Sequence, residues 1–339
     1  MRRALLVVAL LVVALLAVSA SLPASAQPSA SSPRGTLDTL TFWSQSLGVQ
    51  KRAIVWLPPS YGGPGAQRYP TAYYLHGLYG SEGDWTRQGR LHLTLDSLVA
   101  TGMREMIVVM PDGDDSWYTT WNRLLDVSSC RREFRPREGD TAESYCVPWS
   151  HYDDYIARDL VAAVDRGYRT AATRSQRVIA GLSMGGYGAI SLALRYPDVF
   201  RAAASHSGVV SPLYVGPRPF QGTPRYAESP DALRKSWGER MWPLISPAFG
   251  SDAAGWIARD PARLAARLVN QGDVQVPAIF IDCGTEDGLI DQSRALRHEL
   301  QRLGITPAYA EWPGKHDWDY WRRHSPESLT WLARQLSER

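Results

Sequence analysis

Residues 177–189 constrain the fold more than any other segment of this 339-residue chain. A short apolar run at 177–181 leads into the sequence GLSMG at 181–185, and small residues then open a stretch typical of a helix. Glycines are needed on both sides of Ser183 because side chains would collide where a strand and a helix fold back on each other. The pattern therefore predicts a strand, a sharp turn that presents Ser183 above a sheet, and a helix.

The rest of the chain alternates short apolar or aromatic runs with longer amphipathic ones. Strands are predicted at residues 53–57, 71–75, 106–110, 177–181, 202–206, 278–283 and 307–311, and helices at 152–168, at 291–303 with Asp291 as its cap, and at about 326–336. Several strands are apolar throughout, which indicates helices on both faces of a mostly parallel sheet. We therefore expect an α/β fold, a three-layer α/β/α sandwich that binds ligands at the carboxyl ends of its strands. Residues 214–253 are expected to form an excursion over that edge rather than part of the sheet.

The amino terminus has the layout of a secretory signal peptide. Two arginines precede an apolar run from residue 4 to about residue 18, and Ala-Ser-Ala at 24–26 predicts cleavage before Gln27. A membrane anchor is the alternative, but the run is shorter than the ~20 residues that a spanning helix needs. We expect a signal peptide at 1–26, a flexible linker at 27–38 and a catalytic domain at 39–339. The mature protein is expected to be secreted or extracytoplasmic, without a membrane span.

Charge and cysteine usage narrow the possible partners and cofactors. The formal charge of +3 includes Arg2 and Arg3, which leave with the signal peptide, so no electrostatic footprint for nucleic acid is expected. Cys130 and Cys146 flank a polar, Arg-rich loop and are predicted to close it as a disulfide. Cys283 lies in an apolar run, where a buried free thiol is expected. The spacings match no zinc pattern, and no metal or cofactor is implied.

A serine nucleophile needs a base, and the base needs an acid that orients it. In folds with this strand–serine–helix turn the three residues follow in the order Ser, Asp or Glu, His. His316 lies in a tight turn after the strand at 307–311, where the base is expected, and His324 is the weaker alternative. Asp287 lies just beyond the strand at 278–283 and is predicted to be the acid, with Glu286 in reserve.

An oxyanion that forms on the substrate needs two preorganised donors. One is expected to be the backbone N–H of Met184, the residue after the nucleophile. The other is expected to be the backbone N–H of Leu78, in the loop that follows an early strand. His76 in the same loop is expected to be a structural hydrogen-bonding residue rather than a second base.

Three blocks resemble the esterase D / feruloyl esterase-like family of α/β-hydrolases. They are YLHGLYG at 74–80, GLSMGGYGA at 181–189, and DCGTEDGL at 282–289 followed by WPGKHDWDYW at 312–321. The family also includes tributyrin-type esterases, S-formylglutathione hydrolases and the antigen 85 mycolyltransferases. The resemblance extends from about residue 40 to the C-terminus. It implies an α/β-hydrolase fold with Ser183, Asp287 and His316 in the triad positions and Leu78 and Met184 in the oxyanion positions.

The block SWYTTW at 116–121 also resembles an aromatic loop of the family. By that resemblance Trp117, Tyr118 and Trp121 line the substrate cleft; ordinary packing beneath a loop is the alternative. Residues 126–148, which contain the cysteine pair, form an insertion relative to the family pattern.

The function that follows is a secreted serine carboxylic-ester hydrolase, which acts through an acyl-enzyme on a small-molecule, polysaccharide or lipid ester. The signal peptide argues against an S-formylglutathione hydrolase, which works in the cytosol. The GGYG that follows at 185–188 looks more like simple esterases than like mycolyltransferases, but acyl transfer to a sugar or lipid hydroxyl is the alternative. A non-catalytic secreted binding protein is a third hypothesis. Its signature would be a lost triad member, and here every member has a candidate.

Overall fold

An eight-stranded sheet forms the centre of the protein in a computed structural model that describes residues 34–121, 125–135 and 140–336. The predicted signal peptide and most of the predicted linker lie outside the described residues. The strands of this sheet are β1 (Thr36–Ser44), β2 (Val49–Leu57), β3 (Thr71–Leu75), β4 (Ile107–Pro111), β5 (Arg177–Leu182), β6 (Ala202–His206), β9 (Ala278–Gly284) and β10 (Ala308–Trp312). Two short strands, β7 (Tyr214–Gly216) and β8 (Arg225–Tyr226), pair in a separate sheet.

The main sheet has the strand order β1-β2-β4-β3-β5-β6-β9-β10. The pairs β1–β2 and β2–β4 are antiparallel, and every other pair is parallel. The predicted mostly parallel sheet is therefore confirmed. Because β3, β4, β5, β6, β9 and β10 run the same way, the loops after them meet at one edge of the sheet.

Helices cover both faces of the sheet and bury two separate apolar clusters. One cluster includes Ile190 and Leu296, from the helices on one face, and the other includes Leu95 and Leu329 from the opposite face. The predicted three-layer sandwich is thus confirmed. The helices are α1 (Asp84–Arg87), α2 (Leu91–Ala100), α3 (Val127–Glu133), α4 (Ala142–Tyr145), α5 (Tyr152–Asp154), α6 (Val161–Gly167), α7 (Met184–Arg195), α8 (Pro230–Phe249), α9 (Ala253–Ile257), α10 (Pro261–Asn270), α11 (Ile290–Arg302) and α12 (Trp318–Gln335), with 3-10 turns at Pro59–Gly62 and Arg174–Gln176.

Several element boundaries differ from the sequence prediction, among them the start of β2, which is Val49 rather than residue 53. The edge strand β1 was not predicted, and it begins at Thr36, inside the segment assigned to the linker. The last helix begins at Trp318 rather than near residue 326, because Asp317 caps it by accepting the Tyr320 N–H. Leu289, not Asp291, precedes the first turn of α11.

The helix predicted at 152–168 is present but not regular. A π-helical turn at Tyr155–Leu160 joins α5 to α6. Such turns add one residue to a helical turn and rotate the face that follows. Hydrophobic spacing alone does not show them, which explains the difference.

The segment predicted as an excursion, 214–253, contains β7, β8 and α8. It contributes no strand to the main sheet, as predicted. Helix α8 bends at Gly238, whose φ of 72° is outside the helical range. Across the residues that the structure describes, no helix has the length and apolar character to cross a membrane.

Candidate active site

Ser183 lies in a strained turn between β5 and α7. Its φ of 52° and ψ of −116° are uncommon for a residue with a side chain, and such strain is concentrated at functional sites. A Cβ added to Gly181 would lie 2.3 Å from the Gly185 carbonyl oxygen, and one added to Gly185 would lie 2.4 Å from the Leu75 carbonyl oxygen. Helix α7 therefore begins so close to β5 and to the end of β3 that only glycine fits at both positions.

Backbone hydrogen bonds hold this turn in place. The Ser183 N–H donates to the His206 carbonyl oxygen at 3.0 Å, and the Ser183 carbonyl oxygen accepts from the N–H groups of Tyr187 at 3.1 Å and Val209 at 3.2 Å. Ser183 is half-buried, whereas the residues beside it are buried. Its hydroxyl is thus fixed at the carboxyl edge of the sheet and can be reached from solvent.

The structure brings His316 and Asp287 to Ser183. His316 Nε2 lies 2.9 Å from Ser183 Oγ, and His316 Nδ1 lies 2.8 Å from Asp287 Oδ2. Asp287 follows β9 and His316 follows β10, so the three residues come from the carboxyl ends of β5, β9 and β10 in the parallel part of the sheet. This geometry allows the imidazole to accept the serine proton while the carboxylate fixes its orientation.

Asp287 is the charged partner in this set. Burial raises the pKa of its carboxyl. The hydrogen bond and charge of His316 and the hydrogen bond from the Leu289 N–H lower the pKa by more than burial raises it, so that it lies below its ordinary value. Asp287 Oδ1 accepts the Leu289 N–H at 2.8 Å. Both carboxylate oxygens are therefore engaged, and the group is ionised at neutral pH.

The two reserve residues lie elsewhere. Glu286 is exposed, and its backbone N–H donates to the Gly314 carbonyl oxygen. His324 is buried within α12 and stacks on Trp312 with ring centroids 4.2 Å apart. The residues that surround Ser183 are thus the first choices, Asp287 and His316.

The loop that contains Leu78 lies beside the serine. A Cβ added to Gly77 would be 3.5 Å from Ser183 Cβ. Among the described residues, no acceptor is hydrogen-bonded to the backbone N–H of Leu78 or of Met184. Both donors are available for an oxyanion, and that role stays a prediction.

A family model described as "Putative esterase" matches residues 44–332. The chain belongs to this esterase family. It is 25% identical over 272 residues to an acetyl esterase of Caldicellulosiruptor saccharolyticus, which covers 79% of this chain and 85% of the relative. It is 32% identical over 172 residues to an endo-1,4-beta-xylanase/feruloyl esterase of Xylanibacter ruminicola, which covers 49% of this chain and 20% of the relative. An esterase of Mycobacterium tuberculosis is 28% identical over 81% of this chain, which spans 54% of that relative.

Solved structures agree with the α/β-hydrolase fold. A ferulic acid esterase superposes with a TM-score of 0.63 at 24% identity, over 90% of this chain and 99% of the other. A fluorophosphonate-binding serine hydrolase of Staphylococcus aureus, FphF, superposes with a TM-score of 0.65 at 22% identity, over 88% and 99%. At these identities the likeness concerns the fold.

His76 holds the loop of this esterase that carries Leu78. The Gly113 N–H donates to His76 Nε2 at 2.9 Å, so Nε2 is an acceptor and the ring proton is on Nδ1. Nδ1 then donates to the Gly77 carbonyl oxygen at 2.8 Å. The ring is fully buried, in agreement with the structural role expected for it.

A buried ionic cluster next to His76 had no signal in the sequence. The Lys51 ammonium is fully buried, contacts Asp112 and lies 2.8 Å from Asp114 Oδ1. Burial lowers the pKa of Lys51, but the two carboxylates raise it above its ordinary value. Burial and the charge of Asp112 raise the pKa of Asp114 to about 7. Tyr152 donates its hydroxyl proton to Asp114 at 2.6 Å.

Three carboxylates at this cluster lie close enough together that a metal ion has to be considered. Oxygens of Asp112, Asp114 and Asp140 lie within 4.8 Å of one another. Because Lys51 already supplies a positive charge to two of these residues, the geometry alone assigns no metal there.

Two of the three predicted substrate-binding aromatics, Trp117 and Tyr118, pack next to residues that adjoin Ser183. Trp117 and Tyr118 are each 1% exposed. The backbone N–H of Trp117 donates to Met184 Sδ at 3.4 Å, and the Tyr118 hydroxyl donates to the His76 carbonyl oxygen at 3.1 Å. Trp121 is partly exposed. The first two therefore pack against the predicted oxyanion residues and their loop, and substrate contact by any of the three stays a prediction.

The predicted disulfide is present. Cys130 and Cys146 are bonded with an S–S distance of 2.04 Å and link α3 to the end of α4. Cys283 is a buried free thiol, and burial raises its pKa, which makes it a poor nucleophile. The insertion at 126–148 is thus cross-linked within itself.

Proposed function

We propose that this chain is a secreted serine esterase that hydrolyses carboxylic esters through an acyl-enzyme on Ser183. The observation that carries the proposal is the continuous contact from Ser183 through His316 to Asp287 at a strained, half-exposed turn. Membership of the esterase family supports the class of bond that is cleaved.

In the first half of the reaction, His316 Nε2 accepts the proton of Ser183 Oγ as the oxygen attacks the ester carbonyl carbon. The negative charge that forms on the carbonyl oxygen is stabilised by the N–H groups of Leu78 and Met184. His316 then gives its proton to the leaving alcohol, and the acyl group stays on Ser183. Asp287 stabilises the imidazolium in both steps.

In the second half, water gives a proton to His316 Nε2 and attacks the acyl-enzyme. The same two N–H groups stabilise the second oxyanion. Collapse of this intermediate returns the proton to Ser183 Oγ and releases the carboxylic acid. The His316 side chain is 36% exposed, which supports access of water to this step.

The acyl group is proposed to be a short or hydroxycinnamoyl acid. The support is the names of the relatives, an acetyl esterase and a protein with a feruloyl esterase activity. The alcohol part of the ester would be a sugar hydroxyl, either in a polysaccharide or in a smaller molecule.

The alternative is that a sugar or lipid hydroxyl, rather than water, attacks the acyl-enzyme, as in the mycolyltransferases. Hydrolysis run with trehalose as an added acceptor distinguishes the two. Free acid as the main product supports the hydrolase, and persistent formation of acylated sugar overturns it.

Secretion and domain organisation are part of the proposal. The signal-peptide pattern at 1–26 and the disulfide support an extracytoplasmic protein, with a linker from residue 27 that ends before β1 and a catalytic domain that includes β1 from Thr36. Mass spectrometry of protein exported from a bacterial host tests this, with Gln27 as the expected first residue. A retained, uncleaved chain would contradict it.

The central experiment compares mature protein with its Ser183→Ala variant on 4-nitrophenyl acetate, butyrate, octanoate and ferulate. Loss of ~10³-fold or more in kcat is expected in the variant, because the nucleophile is gone and only the oxyanion donors and binding are left. Labelling of the parent, but not the variant, by a fluorophosphonate probe is the second readout. Equal slow turnover and no labelling would favour a non-catalytic binding protein.

A further inference from the structure

A pocket of about 500 Å³ lies between the β1–β2 hairpin and the insertion at 126–148. We call it the hairpin pocket. None of the described residues that line it belongs to the Ser183 site. The lining that matters here is Trp43, Gln50 and Arg52 from the hairpin and Arg131, Thr141 and Glu143 from the insertion.

Two exposed indole rings mark this surface. Trp43 is 55% exposed, on the outward face of the edge strand β1, where it pairs with Gln50 of β2. Trp149 is 53% exposed and adjoins the pocket at Gly48, since a Cβ added to Gly48 would lie 3.0 Å from Trp149 Cδ1. Large aromatic rings left open to water next to a concavity mark a binding site.

The polar lining indicates the kind of ligand. Arg52 and Arg131 are offset by Glu143, and Arg52 also contacts Glu82 at 3.6 Å while its side chain stays 47% exposed. A lining of mixed sign does not select an ion. Forked donors and acceptors around a flat aromatic face suit a neutral ring with hydroxyls at its edge and C–H groups on its face, which is a pyranose sugar.

The pocket walls are built in advance of binding. The disulfide between Cys130 and Cys146 closes the insertion, and a capping box between Thr141 and Ser144 orders α4. The buried Lys51 ammonium donates to the Ser144 carbonyl oxygen at 3.4 Å, which ties the insertion to β2. A preformed site avoids the cost of ordering loops when a ligand binds.

The hairpin pocket shares an edge of the sheet with Ser183. The strand registers extend outward from β5 through β3 and β4 to β2. In this register Ser183 is level with Lys51 of β2, which pairs with Phe42 of β1. Trp43 is one residue further. With strands ~4.8 Å apart, β2 and β1 lie ~14 and ~19 Å from β5 across the sheet. A chain of several sugars can span this separation.

We propose that the hairpin pocket binds a sugar unit of a neutral glycan, away from the unit whose ester is cleaved at Ser183. Binding to the pocket does not depend on catalysis. Its benefit for turnover of a polymeric ester rests on the proposed function. In that case the pocket keeps the polymer on the enzyme between cleavage events.

Binding is tested in the Ser183→Ala background by isothermal titration with unesterified xylohexaose, cellohexaose, mannohexaose and maltohexaose. At least one is expected to bind, and Trp43→Ala is expected to weaken that binding at least ten-fold. The matched control is Leu37→Ala, on the same face of β1, 48% exposed and ~20 Å along the strand, which should bind like the parent. Because both side chains are exposed, thermal midpoints should match. Absence of binding to all four sugars, or equal binding by Trp43→Ala, overturns the proposal.

A second arm uses the active enzyme. The ratio of kcat/KM on acetylated xylan to kcat/KM on 4-nitrophenyl acetate is expected to fall at least five-fold in Trp43→Ala and to stay constant in Leu37→Ala. If neither ester is cleaved while the titration succeeds, the proposed function fails and the glycan site stands. If the titration fails while both esters are cleaved, the reverse holds.

Discussion

Replacement of Asp287 by Asn tests how the carboxylate sets the proton on His316. The Leu289 N–H donates to Asp287 Oδ1, so the amide oxygen of the new side chain keeps that position and its NH₂ faces His316 Nδ1. An NH₂ group can only donate, which forces Nδ1 to be the acceptor and moves the ring proton to Nε2. Nε2 lies 2.9 Å from Ser183 Oγ and then carries a proton, so it cannot accept one from the serine.

The expected loss in kcat is ~10⁴-fold, the scale of an inverted tautomer in a serine triad, or ~5.4 kcal/mol of transition-state stabilisation. The change is isosteric, so KM should move little. The assay is hydrolysis of 4-nitrophenyl acetate with kcat and KM determined separately. Glu286→Gln is the matched control, because its carboxylate is adjacent in sequence but exposed, and less than a two-fold change is expected.

Two results would refute the reasoning. One is an Asp287→Asn enzyme that keeps more than a tenth of the parent kcat. The other is a Glu286→Gln enzyme that loses as much as Asp287→Asn, which would mean that charge near the site matters rather than the contact with His316.

Three further predictions concern stability, each measured by urea denaturation. Lys51→Met leaves two buried carboxylates without their cation and is expected to cost ~3–5 kcal/mol; a loss below ~1 kcal/mol would contradict the pairing. Removal of the disulfide in Cys130→Ala/Cys146→Ala is expected to cost ~3 kcal/mol through the freed loop, and an unchanged midpoint would show that the loop is already ordered without it. The pKa of Asp287 is lowered in the folded state, so its stabilisation is complete above the unfolded pKa of ~4 and is lost as pH falls through the folded value. The unfolding free energies of the parent and Asp287→Asn should therefore converge as the pH falls from about 4 through the folded pKa, and a constant difference over that range would refute this.

Local steric rules explain why the serine turn could be predicted. The close approach of α7 to β5 and to the end of β3 admits only glycine at residues 181 and 185, and both glycines lie within the five residues 181–185. Asp287 and His316 could also be predicted, because each follows a predicted strand. Once the order of the strands in the sheet is known, the two residues are expected to meet. The hydrogen-bonded geometry itself, and the choice between Asp287 and Glu286, depend on loop conformation and needed the structure.

Elements whose signal is spread over distant residues were missed. Most residues of β1 are exposed, because one face of this edge strand is open to water, and the sequence of its first residues does not distinguish it from a linker. Lys51 falls on the buried face of β2 by strict alternation. Its partners, Asp112 and Asp114, are distant in sequence and are brought to it by the pairing of β4 with β2. A buried lysine can be assigned only when those partners are placed.

A second Ser–His–Asp set shows why residue types and distances do not identify a catalytic site on their own. His206 Nε2 lies 2.8 Å from Ser328 Oγ, and His206 Nδ1 lies 2.6 Å from Asp282 Oδ2, which resembles the spacing at Ser183. All three residues are 0% exposed, and Ser328 lies inside a regular helix rather than at a strained turn. Because the hydroxyl is buried, no ester carbonyl can reach it, and the set is a buried polar connection between β6, β9 and α12. What distinguishes Ser183 is the strained turn at the carboxyl edge of the sheet, where its hydroxyl can be reached from solvent, and that turn is the feature of the sequence with the strongest steric requirement.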